Sequence, residues 1–273
     1  MAHETQNPIR ACLSCQTAQS TTQAATDNQH NTMQNYCKTI GALAAASALV
    51  AGNANAEVEY ELHGGYSSEY LFRGLDLGDH LVELGLDAAY DWNGVTVSGG
   101  VWATAFDSSG TSSNQTDNET DLYAEVAKDF GFLTASVGYI YYWNAGQLGR
   151  DNQEVYVGLS RDLGFANASL TYFGDVDRTN RGDTDGYSEL ALSRGFELNQ
   201  CLTLNLSTNV GYLVEGGDFT ASTTKVSLDW GFAEHAKVSP FIAVSFGLGE
   251  SNNSSWTSTE NELLGGSMLS VSF

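Results

Sequence analysis

From Glu57 to the end of the chain, apolar residues fall two apart, which is the period of a strand and not of a helix. The clearest run is Leu202, Leu204, Leu206, Thr208, Val210, Tyr212, Val214, with Thr203, Asn205, Ser207, Asn209 and Gly211 between. Val82 to Trp92, Leu133 to Trp143 and Val226 to Phe232 repeat the pattern. The alternation predicts strands near 57–73, 80–92, 95–106, 119–130, 133–144, 153–162, 165–175, 186–197, 202–214, 220–232, 238–249 and 262–273. Asn93-Gly94 is a two-residue hairpin signal. The links at 131–132, 163–164, 198–201 and 233–237 are also short, whereas 74–79, 107–118, 145–152, 176–185, 215–219 and 250–261 are longer and polar.

Most of these strands run to 10–13 residues. A strand needs roughly 9–11 residues to cross a bilayer at a tilt. A soluble sandwich also alternates, but its strands are usually shorter, about 5–6 residues. Tight turns at one end and long loops at the other are the asymmetry of outer-membrane barrels. The expectation is an all-β fold: a 12-stranded antiparallel transmembrane β-barrel with short periplasmic turns and longer extracellular loops.

Before Glu57 the text changes. Residues 1–32 are polar and without period, and read as a mis-called or disordered extension. Met33 opens a segment with Lys38, an apolar stretch from Ile40 to Ala51, and the small-x-small triplet Ala54-Asn55-Ala56. This is the layout of a secretory signal. The expectation is a signal peptide over 33–56, cleaved after Ala56, and a barrel over 57–273. Cys12, Cys15 and Cys37 precede the cut, which leaves Cys201 alone and predicts no internal disulfide.

Composition sharpens the picture once the leader is set aside. The whole chain has 33 acids and 11 bases, a net charge of −22. The leader takes away Glu4, Asp27, Arg10 and Lys38, so 31 acids and 9 bases stay in the barrel and the charge is unchanged. That excess excludes a nucleic-acid binder working by phosphate neutralisation. It falls largely on the polar face, which should line the lumen: Glu69, Glu83, Asp87, Asp91, Asp121, Glu125, Glu154, Glu189 and Asp229, with Arg73 and Lys225 as the inward bases. Arg73 is expected to reach an acid on a neighbouring strand, such as Glu83 or Asp87. Small inward residues such as Gly100, Ser136, Gly138, Gly158, Ser207 and Gly211 should leave space for a narrow wet channel. A lumen rich in carboxylates concentrates cations.

The oily face has its own order. Lys128, Arg161 and Arg194 stand in phase with it near the short-turn end, each followed two places on by Phe130, Leu163 or Phe196. Tyr90, Trp92, Trp230 and Phe232 hold the equivalent places. Bases and rings suit a membrane–water boundary. The last strand ends Leu269-Ser270-Val271-Ser272-Phe273, and Leu269, Val271 and the terminal Phe273 resemble the signal read by bacterial barrel-assembly machinery.

Three stretches carry a family resemblance. Tyr66-Ser67-Ser68-Glu69-Tyr70-Leu71-Phe72-Arg73-Gly74, then Gly85-Leu86-Asp87, then Gly99-Gly100-Val101-Trp102-Ala103, resemble the opening of the TorF family of porins. The family's third strand often reads on into Trp-x-Ser-Asn, and Trp102-Ala103-Thr104-Ala105 departs from it. The resemblance implies a Gram-negative outer-membrane porin.

The histidines offer little chemistry. His63 faces inward, His80 borders a long loop and His235 lies in a short turn, with no outward Ser and Asn in reach of one of them. No enzyme, metal or cofactor is expected. The expected partners are the lipid bilayer, the assembly machinery and small solutes or ions, passing by diffusion with weak cation preference. The rival expectation is a structural or surface-interaction barrel, plugged by its own loops and presenting 107–118 and 250–261.

Overall fold

The computed structural model describes residues 58–108, 116–144, 151–176, 186–249 and 260–273. Twelve strands fill them: β1 Glu59–Phe72, β2 Leu75–Trp92, β3 Val95–Ser108, β4 Thr116–Asp129, β5 Thr134–Asn144, β6 Asn152–Asp162, β7 Asn167–Asp175, β8 Tyr187–Asn199, β9 Leu202–Leu213, β10 Asp218–Ala233, β11 Ala236–Gly247 and β12 Asn261–Ser272. Every neighbouring pair is antiparallel, and β1 pairs with β12 to close the barrel. Closure gives every strand a neighbour on each side, the condition for a sheet to cross lipid. No helix among the described residues is long and apolar enough to cross a membrane.

The two faces separate as alternation requires. Leu84, Val157, Leu190, Ile242 and Leu263 are exposed on the outside. Their neighbours Gly158, Glu189 and Ala243 are buried on the inside. In water an apolar surface of this extent would be unstable; facing lipid it is the expected state.

The predicted bounds hold to within a few residues at most strand ends. The exception is the link at 74–79. Expected as a polar loop, it is the start of β2, joined to β1 by the two-residue turn Arg73-Gly74. Both turn residues have positive φ, 53° and 89°. The turn at the other end of β2, Asn93-Gly94, repeats this with 51° and 75°. Two successive positive φ values fit the right-handed twist of a hairpin, and Asn-Gly is their usual sequence. Arginine in the first place is uncommon, because its Cβ crowds the backbone there. His80, expected beside a loop, also lies within β2, at a φ of 57°. The 215–219 loop is likewise shorter than expected, since β10 begins at Asp218.

The extension expected over 1–32 and the signal peptide expected over 33–56 lie outside the described residues. So does most of the two loops expected over 107–118 and 250–261, whose described ends belong to β3, β4 and β12 or border them. Cys201, buried in the β8–β9 turn, is disulfide-bonded. This overturns the expectation that it makes no disulfide.

Candidate functional site

The functional interior begins where β1 leaves the wall. Its pairing with β12 runs only from Glu61↔Ser272 to Ser67↔Gly266. Its pairing with β2 continues to Phe72↔Leu75, with a register shift between Tyr70 and Leu71. Just past the last β12 pair, the Gly265 amide donates to Ser68 Oγ at 3.0 Å. A bulge of this kind bends and twists a strand. The β1–β2 hairpin tip therefore leans into the barrel.

Four consecutive side chains of this tip reach four parts of the wall. Tyr70 packs on Trp102 and Phe106 of β3, and its hydroxyl donates to Glu119 of β4 at 2.8 Å. Leu71 is buried with Ala243 of β11 and Leu264 of β12. Phe72 meets the Tyr142 ring of β5 edge-on, 6.2 Å between centroids. Arg73 donates from both terminal nitrogens to Glu154 of β6, at 2.8 and 2.7 Å. Gly74, next in line, is so close to Ala221 of β10 that a side chain there would collide with it. The tip thus spans the lumen and touches most of its circumference.

Arg73 is 8% exposed and Glu154 2%. The guanidinium also lies over the rings of Phe72, Phe173 and Tyr187, at 4.8, 4.7 and 4.3 Å from the centroids. The Tyr142 hydroxyl donates to Glu154 Oε2 at 2.8 Å and fixes the carboxylate. A bidentate pair with this support is strong where water is excluded. The expectation that Arg73 would pair with Glu83 or Asp87 is therefore corrected. Those acids are engaged elsewhere: Trp102 Nε1 donates to Glu83 at 2.6 Å, and Tyr123 donates to Asp87, which also faces His63 Nε2 at 3.5 Å.

The other acids expected in the lumen lie on the phase opposite the exposed apolar residues. Glu125 and Glu189 are buried, and Asp121 and Glu69 are partly covered. Glu189 accepts from Tyr187 at 3.2 Å and from Asn209 at 2.9 Å. Asp91 accepts from Thr96 at 2.5 Å. Lys225 Nζ lies 4.1 Å from the Phe241 centroid. Asp229 is 3.9 Å from Lys237, which lies in β11 and not in the short link expected over 233–237.

The inward small residues do not leave the expected space. A Cβ at Gly138 would overlap the Tyr156 ring, one at Gly211 the Tyr187 ring, and one at Gly85 the His63 ring. At Gly100 it would stand 2.6 Å from the Tyr123 hydroxyl. These glycines are seats for rings on adjacent strands. Ile140, Tyr142, Tyr156, Phe173, Tyr187 and Leu213 form a buried cluster inside the barrel, with Phe72 packed against it. Between the tip and the β8–β12 wall remains a cavity of about 30 Å³, room for one or two waters. The inward tyrosines Tyr142, Tyr156 and Tyr187 stand on the phase opposite the oily residues, where only charges and small residues were expected.

On the outer face Lys128 lies over Phe130 and Arg194 over Phe196, both at 5.7 Å. Arg194 also donates to the Gly164 carbonyl at 2.7 Å. Arg161, Tyr90, Trp92, Trp230 and Phe232 are exposed toward the same end. Leu269, Val271 and Phe273 are on the outward phase of β12, and Phe273 stacks on Tyr60 at 5.9 Å. His80 Nδ1 shares a hydrogen bond with Tyr66 Oη at 2.8 Å, and His235 lies exposed in the β10–β11 turn.

Comparison with known proteins places this architecture. An outer membrane channel from Pseudomonas putida F1 superposes with a TM-score of 0.53 at 9% identity, over 82% of this chain and 97% of that one. The KdgM porin gives 0.48 at 10% identity, over 79% and 99%, and outer membrane phospholipase A from Escherichia coli gives 0.45 at 14%, over 79% and 92%. The likeness is one of fold. No curated protein matches in sequence. A family model described as a bacterial protein of unknown function (Gcw_chp) matches residues 50–264. That span takes in all three motif stretches and most of the strands, and the chain belongs to the Gcw_chp family.

Proposed function

We propose that this protein is a bacterial outer-membrane barrel of porin type, through which small solutes diffuse with a weak preference for cations. The observation that carries the reading is the contrast of its two faces. The outside is apolar, while the inside holds Glu69, Glu83, Asp87, Asp121, Glu125, Glu154, Glu189 and Asp229 against Arg73, Lys225 and Lys237. Carboxylates in a low-dielectric wall raise the local cation concentration. In this reading the β1–β2 tip is the constriction. The motif resemblance to the TorF porins supports the same class. Lys128, Arg161, Arg194, Tyr90, Trp92, Trp230 and Phe232 sit at the periplasmic boundary of the bilayer, and Leu269, Val271 and Phe273 are the assembly signal. Residues 33–56 direct export, leaving 57–273 as the barrel.

Single-channel recording of the pure barrel in a potassium chloride gradient tests this. Discrete steps with a cation-side reversal potential are expected, and an anion-side potential refutes the selectivity. Persistent silence favours a second reading, a structural barrel with a lumen closed by its own chain. The specific observation behind that reading is the placement of Tyr70 to Gly74 across the lumen.

A further inference from the structure

The wall around Arg73 has the chemistry of a receptor for an organic cation. Phe173 and Tyr187 offer ring faces within cation–π range. Glu154 is held by Tyr142 so that both carboxylate oxygens meet one guanidinium. Glu189, 2% exposed, has an oxygen, Oε1, without a hydrogen-bond partner among the described residues. The wall therefore has more acceptor capacity than Arg73 uses. Glu154, Phe173, Tyr187 and Glu189 belong to β6, β7 and β8 and Tyr142 to β5, whereas Arg73 arrives on a tip that has left the wall.

We propose that Arg73 is a tethered occupant of a binding site for guanidinium-bearing solutes, which take its place when the tip withdraws. The inference rests on the channel reading and names the solute class. Aromatic faces and a fork-shaped acceptor favour a planar, weakly hydrated organic cation over sodium or potassium.

The site can be emptied without straining the turn. Glycine takes the positive φ of position 73 at no steric cost. Arg73→Gly therefore removes the guanidinium and keeps the backbone, and Arg73→Asn is a second variant because asparagine tolerates this region. Melting of the purified barrel in detergent is followed against methylguanidinium chloride, with sodium chloride as control. A saturable rise in melting temperature is expected in both variants, and almost none in the wild type, where the site is filled. In Arg73→Gly/Glu154→Gln the apparent affinity should fall by roughly tenfold or more. An equal rise with sodium chloride, an unchanged affinity in the double variant, or no rise at all overturns the site. If neither neutral variant assembles, Arg73→Lys serves: its ammonium cannot make the bidentate contact, so a smaller rise is expected, and none refutes the proposal. Melting needs no current, so a silent bilayer removes the channel reading while this assay still decides the site.

Discussion

Tyr156 stands in the space that a side chain at Gly138, its register partner across β5 and β6, would fill. Gly100 and Tyr123 repeat the relationship across β3 and β4, and Gly85 and His63 across β1 and β2. Gly138→Ala should destabilise the barrel by about 1–3 kcal/mol, the usual cost of overpacking. Gly216→Ala, whose Cβ would meet Leu213 at an ordinary 3.5 Å, is the control. Urea unfolding in lipid vesicles should move the midpoint for the first and not for the second.

The outer face makes a depth-dependent prediction. Leu84, midway along β2 and 58% exposed, should meet the bilayer interior. Leu84→Arg should cost about 2–4 kcal/mol, and Phe232→Arg, near the short-turn end, about 0–1 kcal/mol. Equal costs would mean that this surface does not face lipid.

Breaking the Arg73–Glu154 pair leaves a buried charge alone. Glu154→Gln should cost about 3–5 kcal/mol. Replacing both partners by methionine should cost less than either single change, because no charge is then stranded. A double-mutant cycle on unfolding free energies reads this directly.

Phe273 closes the seam. Its amide donates to the Tyr60 carbonyl and its carbonyl accepts from the Tyr60 amide, both at 3.0 Å, beneath their stacked rings. Deleting Phe273 should lower the yield of heat-modifiable, assembled barrel in outer membranes. Phe273→Tyr, which keeps the ring, should restore most of it.

Export makes its own prediction. If the chain is cut after Ala56, the intact mass of protein purified from outer membranes should begin at Glu57. A mass that begins elsewhere refutes that site.

The strands were legible because lipid and lumen impose a period of two on every crossing. The start of β2 was not. Leu75-Asp76-Leu77-Gly78-Asp79-His80 carries turn residues, and only the structure shows positive φ at His80 and a register shift between Asp79 and Val82 within a paired strand. The inward acids were legible as charges on the polar phase. The inward tyrosines were not, since the alternating runs also place Tyr139 and Trp143 outside. Arg73 was visible as an inward base, but its partner lies 81 residues away. Alternation tells which face a side chain takes, and nothing about which wall a bent hairpin will meet.

The inward lean of the hairpin also fixes an order of events in assembly. The contacts of Tyr70 and Arg73 span 49 and 81 residues and join walls that become neighbours only when the ring exists. Contacts of that range form late, because closing long loops must come first. The β1–β2 hairpin, made of residues close in sequence, can pair early, yet its tip has no place to go until β4, β6 and β10 to β12 stand around it. The segment that spans the lumen is then the last to find its seat, and a barrel caught before that moment would be closed in the wall and open through the middle.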